Sequence, residues 1–173
     1  MSVMRILALG LLALAACKTQ PPIPPPRFLA PPLVAWSEDH QGDEQGSGHY
    51  STEVEVFREA ERGEVRVRNA VKWTGEDEAA HVWMLALEAD ELGLIEGSLS
   101  TVKLVAGARP ASKEALKMGP VSWTLCVRGG DVLTCETRHA IDWKSDSSAT
   151  ALFDLLTELQ RRARESGQHF EEH

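Results

Sequence analysis

Cys126 and Cys135 flank the run Gly129-Gly130-Asp131, and the residues on either side alternate between apolar and polar. That pattern specifies a β-hairpin over residues 121–140. Two registers are open to it. A Gly129-Gly130 turn pairs Arg128 with Asp131 but leaves Cys135 diagonal to Cys126, about 7–8 Å away and too far for a bridge. A Gly130-Asp131 turn, with glycine first as in type II′, pairs Gly129 with Val132 and Cys126 with Cys135. Counted outward from that turn, the cysteines meet at a non-hydrogen-bonded site, where Cα atoms approach to about 4.5 Å. An exposed charge pair contributes under about 1 kcal/mol. A disulfide closing a loop of roughly ten residues contributes on the order of 3 kcal/mol. The second register is therefore expected. It turns Val121, Trp123, Leu125, Val127 and Val132 to one face and the disulfide to the other, more polar face.

The same alternation occurs earlier. Tyr50, Thr52, Val54 and Val56 alternate with His49, Ser51, Glu53 and Glu55. After a turn at Glu61-Arg62-Gly63, Val65, Val67, Val71 and Trp73 alternate with Arg66, Arg68 and Lys72. These residues read as a second antiparallel hairpin with its charges in water. Residues 77–92 change period. Ala79, Val82, Trp83, Ala86 and Ala89 fall at helical spacing and Gly93 supplies a stop, so a helix is expected, with a strand over residues 82–87 as its rival. Residues 98–105 read as a strand. Near the end, Ala149, Leu152, Phe153, Leu156, Leu159 and Ala163 form one helical stripe, capped within residues 145–148 and stopped at Gly167. The expected class is α+β: a small antiparallel sheet of about five strands with a disulfide-stapled hairpin, one internal helix and a C-terminal helix packed on the sheet. This places a single domain at residues 49–167 and a tail at 168–173. Trp73, Trp83 and Trp123 fall on apolar faces and are expected in the core.

The segment before the domain has a different character. Seven of the nine prolines lie between Pro21 and Pro32, which favours polyproline II. At about 3.1 Å per residue, residues 18–32 reach roughly 45 Å. An apolar patch, Leu33-Val34-Ala35-Trp36, follows, and then residues 37–48, rich in Gly, Asp, Glu and Gln. Residues 17–48 are thus expected to be a tether, with Trp36 as a candidate partner contact.

Upstream, residues 6–16 contain no polar side chain, and Arg5 is the cation before them. Eleven apolar residues rise about 16 Å as a helix, roughly half a hydrocarbon core, which suits a signal peptide better than a membrane span. The run ends Leu14-Ala15-Ala16-Cys17. This resembles the lipobox of bacterial lipoprotein precursors. The resemblance implies that residues 1–16 are a signal peptide, that the Cys17 thiol receives diacylglycerol, and that the new amino terminus is acylated with palmitate-type chains. Lys18 in place of Asp implies an outer-membrane protein facing the periplasm. Lipid on Cys17 leaves two cysteines in an oxidising compartment, where bonding between Cys126 and Cys135 is their expected fate.

Residues 1–16 carry one base and no acid, so the mature chain has 17 bases and 26 acids, a formal charge of −9. That charge disfavours nucleic acid and anionic lipid surfaces as partners. Catalytic signals are weak. His169-Phe170-Glu171-Glu172-His173 has the spacing of the inverted zinc-protease pattern, but a fraying tail after Gly167 would not preorganise a metal. Ser100-Thr101-Val102-Lys103 matches Ser-x-x-Lys without its companion motifs. Asp39, His40 and His49 are expected to be solvated, and His81 and His139 structural. No catalytic residue, metal ligand or cofactor is assigned. The expected role is a membrane-anchored, non-enzymatic accessory or scaffold protein that binds another envelope protein. The alternative is a module for lipid or cell-wall fragments. The lipobox reading predicts that Cys17→Ala abolishes both fatty-acid labelling and membrane partition in cells; a variant that keeps both would refute it.

Overall fold

Strand β1 (Val34–His40) lies between the two hairpins and hydrogen-bonds to both. The computed structural model describes residues 30–40, 48–60, 62–72, 78–118 and 121–172. The remaining strands are β2 (His49–Glu59), β3 (Arg62–Lys72), β4 (Ala79–Leu87), β5 (Gly107–Ala108), β6 (Val121–Gly129), β7 (Val132–His139) and β8 (Gln168–Glu172). They form one eight-stranded sheet in the order β5-β7-β6-β1-β2-β3-β4-β8. Each neighbouring pair is antiparallel except β5 and β7. The helices are α1 (Ala89–Leu99), α2 (Ala140–Lys144) and α3 (Thr150–Ser166), with a short 3₁₀ turn at Ala115–Lys117.

This architecture corrects the expected class. The chain is mostly sheet, one mixed sheet of eight strands with three helices, and not a small five-stranded antiparallel sheet. The misread segment is β4. It sits between β3 and β8 and carries apolar residues on both faces, with Val82 and Met84 buried on one and Leu87 on the other, beside the half-buried Trp83 and Leu85. A strand apolar on both faces loses its alternation and imitates helical spacing. The helix lies further on, as α1, where Glu88 and Glu91 close a capping box at its start. It runs through Gly93, and residues 98–105 form its end and a loop instead of a strand.

Two boundaries also move. The folded unit begins before His49, because β1 is an interior strand and even residues 31–33 are held. Arg128 Nη1 donates to the Pro31 carbonyl at 2.7 Å, and the Leu33 N–H donates to the Val56 carbonyl at 2.7 Å. Residues 168–172, expected to be a tail, are strand β8. Residues 1–29, including Cys17, and Trp73 lie outside the described residues.

The hairpin of β6 and β7 has the expected register. Gly129 pairs with Val132 and Cys126 with Cys135, and Gly130 takes the positive φ, 62°, that the turn requires. The expected stripe of α3 is buried: Leu152, Phe153, Leu156, Leu159 and Ala163. It covers the sheet face formed by Val34, Trp36, Val54, Val56, Val65, Val67, Trp123 and Leu125. α1 comes so close to β3 that a Cβ on Gly63 would lie 2.6 Å from Leu92 Cδ2. Trp36, Trp123, Trp143 and Phe153 form one aromatic cluster, with ring centroids 5.1–5.7 Å apart. Trp143 Nε1 donates to the Trp123 carbonyl at 3.0 Å, whereas the buried indole N–H groups of Trp36 and Trp123 have no hydrogen-bond partner. Trp36, expected as a partner contact, is only 4% exposed and belongs to the core.

Removing β1 would leave β2 and β6 with facing unpaired edges. A chain beginning at His49 is therefore expected to lose the cooperative melt of the mature protein. Trp36→Ala is expected to cost about 3–5 kcal/mol in urea denaturation. A cooperative melt of the shortened chain near the parent's midpoint would contradict this account.

Candidate functional site

The Cys126–Cys135 disulfide forms, with Cα atoms 4.0 Å apart. It lies on the sheet face opposite the helices, because residues 126 and 135 alternate with the buried Leu125 and Glu136. The strand registers build the rest of this second face. One row across it reads Ser37, Glu53, Arg68 and Val82; the next reads Ala35, Glu55, Arg66 and Met84. A further row carries Asp39, Ser51, Ala70 and Ala80.

The charges of this face form a network. Arg66 Nη2 donates to Glu172 Oε1 at 3.0 Å, and Arg68 Nε donates to Glu172 Oε2 at 3.2 Å. Arg68 also pairs with Glu78. Val82 lies fully buried opposite Arg68, so the guanidinium stems cover apolar surface while their heads meet carboxylates. Glu55 is the exception to this pairing, with Arg66 Nη1 3.8 Å away. Burial, reinforced by the negative charge of Glu53, pushes the Glu55 carboxyl up to about 7 against the opposing charges of Arg66 and Arg68.

At the far side of this face a cavity of 270 Å³ is lined by Asp39, Arg109, Ser122, Thr137 and His139, among others. The register sets Asp39 beside Ser122 and Ser122 beside His139. This is not a nucleophilic triad. His139 Nδ1 accepts the Ile141 N–H at 3.2 Å as the cap of α2, so the neutral ring carries its proton on Nε2 and has no free base nitrogen. Asp39 faces His49 instead, with Oδ1 2.5 Å from Nε2.

One buried polar group was not foreseen. Glu136 is fully buried on the helix-covered face. It accepts Arg138 Nε at 2.7 Å and the Val105 N–H at 2.7 Å, and it pairs with Arg109. Burial pushes this carboxyl up, but those hydrogen bonds and the charges of Arg138 and Arg109 outweigh it and hold the group below its usual range. Arg138 reaches on to Asp146 Oδ2 at 2.6 Å and lies 3.9 Å from the centroid of the Trp143 ring. The network fastens the loop before β5 and the start of α3 to β7. Its groups are spent on each other, so its role is positional.

Other cavities span a similar range, up to 420 Å³ beside Arg58, Leu92 and Glu96. One between α1 and α3 measures 160 Å³, and one beside Trp123, Trp143 and Phe153 measures 330 Å³, with Lys144 and Asp154 at its rim. Compared with known proteins, the chain matches no family model and no curated protein.

Glu55 carries a pH dependence with a definite sign. Its folded value of about 7 exceeds the ordinary 4.5, so the native state binds the proton more tightly than the unfolded chain does. Its support of folding is complete below 4.5 and is lost as pH rises through about 7. Glu55→Gln is therefore expected to stabilise the protein by about 1–3 kcal/mol at about pH 8 and to change it little at about pH 4, read by urea melts. An equal effect at both values would show that Glu55 ionises normally.

Proposed function

We propose that this chain is a lipoprotein of the cell envelope, anchored by acyl chains on Cys17. Its folded unit is a non-enzymatic accessory that binds another envelope protein. The observation that carries the anchor is the run Leu14-Ala15-Ala16-Cys17 at the end of the apolar segment 6–16. The Cys126–Cys135 bond supports export, because such bonds persist in oxidising compartments. The acidic balance supports a protein partner over nucleic acid or an anionic bilayer. The outer membrane facing the periplasm is the location that fits Lys18.

The binding surface in this reading is the second face of the sheet. Trp36 is buried and unavailable as an anchor, so the partner contact expected there moves to the rows of Glu53, Glu55, Arg66 and Arg68. Mixed signs in register give a surface that selects a partner by complementary charge more than by apolar area.

Photo-crosslinking in cells tests this proposal. A crosslinker in place of Glu53 is expected to trap one discrete envelope protein, and the adduct is expected to vanish in Cys17→Ala. A crosslinker in place of Asp154, exposed on α3, is expected to trap none. Adducts of equal yield at both positions, or none at Glu53, would defeat the assignment of this face.

A further inference from the structure

The end of the chain brings together a set of metal-ligating side chains that the folded position of β8 makes rigid. β8 pairs antiparallel with β4, setting Trp83 against His169 and His81 against Glu171. His81, His169 and Glu171 are therefore neighbours on one face of the sheet's edge. His81 Nδ1 lies 3.1 Å from His169 Nε2 and 3.9 Å from Glu171 Oε1. One ligand atom from each of the three falls within 4.8 Å of the others. The rings are held as well as placed. His169 stacks on Trp83 at 5.1 Å and on His81 at 5.3 Å, each with an interplanar angle of 22°. The Arg164 guanidinium lies 5.9 Å from the Trp83 centroid and donates to Asn69 Oδ1 at 3.0 Å.

We propose that His81, His169 and Glu171 bind a divalent zinc-class ion. Two facing ring nitrogens at this separation share either a proton or a cation. Ligand bonds of about 2.0–2.1 Å around a tetrahedral ion set neighbouring ligand atoms roughly 3.3–3.5 Å apart; the two ring nitrogens stand at 3.1 Å, and the Glu171 carboxylate closes in from 3.9 Å. Two imidazoles and one carboxylate suit zinc, whereas calcium and magnesium call for oxygen ligands throughout. All three residues are exposed, so water completes the coordination. The three ligands span two strands, so the ion clamps β8 onto β4. The objection that a terminal tail cannot preorganise a site does not apply, because the tail is a paired strand resting on Trp83. The site is independent of the partner reading above.

Calorimetric titration of the purified full chain with zinc chloride tests the site. One ion per chain is expected, with a dissociation constant in roughly the micromolar range, weakened at least about tenfold by His81→Ala or His169→Ala and less by Glu171→Gln. His40→Ala, on β1, is expected to leave the affinity unchanged. Ring-nitrogen NMR of the unaltered protein supplies a readout that does not depend on variants folding. Zinc is expected to shift His81 and His169 together, and to slow amide exchange across residues 168–172. Absence of saturable binding, shifts confined to other histidines, or affinity indifferent to both alanine variants would overturn the proposal.

Discussion

The structure depends on β1 being hydrogen-bonded along both of its edges. β2, β3 and β4 follow one another as a meander that ends at Leu87, and β6 and β7 form a hairpin that begins only at Val121. Nothing else in the sheet order joins these halves, because β1 alone separates β6 from β2. Its seven residues register on each side, Val34 with Val56 and Val127, and Trp36 with Val54 and Leu125. Pairing β1 with β2 closes a short loop, whereas pairing it with the distant hairpin is the step that closes a long one. The loop-closure cost of that last step is entropic and grows slowly with length. The aromatic cluster offsets it, since Trp36 from β1, Trp123 from β6 and Phe153 from α3 meet at one point.

The two faces of the sheet answer different demands. The helix-covered face excludes water, and any charge admitted there must be fully partnered. Glu136 and Arg138 meet that demand with four protein groups: Val105, Arg109, Asp146 and the Trp143 ring. Removing one member would strand another in a dry setting, so the network specifies geometry more than it adds net stability. The second face is apolar in patches, with Val82, Ala70 and Ala80 buried, yet its long side chains end in charges. Glu55 marks where that compromise is tightest, a carboxyl whose burial outweighs the cation 3.8 Å away.

How much of this was legible follows from where the sequence periodicity is clean. The β6–β7 hairpin, its turn and its disulfide were readable because register, glycine placement and cysteine chemistry agree. The α3 stripe was readable because one face is buried and the other wet. β4 was not, because apolar residues on both of its faces erase the alternation that identifies a strand. β1 was hidden by its neighbours: seven residues with Asp, Glu and His at one end, between prolines and an acidic run, look like linker until a two-sided pairing is considered. The buried Glu136 was in fact implied. The correct hairpin register places it opposite Leu125 and sets Arg138 opposite Trp123. Two opposite charges two residues apart on an otherwise apolar face are the signature of a satisfied network.

The edges explain why the remaining chemistry collects where it does. An edge strand exposes unpaired N–H and C=O groups and invites unwanted pairing, and proteins blunt such edges with short strands and charges. β5 is two residues long and is flanked by the Arg109–Glu136 ion pair. β8 is five residues long and carries His169, Glu171 and Glu172 on its two faces. Glu172 serves the second face by holding Arg66 and Arg68. His169 and Glu171 turn to the other side, where Trp83 supplies a flat support and His81 a matching ring. A strand protected only by charge would still fray, since it ends the described chain and has a neighbour on one side alone. Its anchoring comes from side chains: the carboxylate of Glu172 on two arginines, and the stacked His169 on an indole. The same polar groups that guard the edge from other strands are thereby the groups positioned to hold a ligand, and an interior strand such as β1, with every backbone group already paired, offers no comparable opportunity.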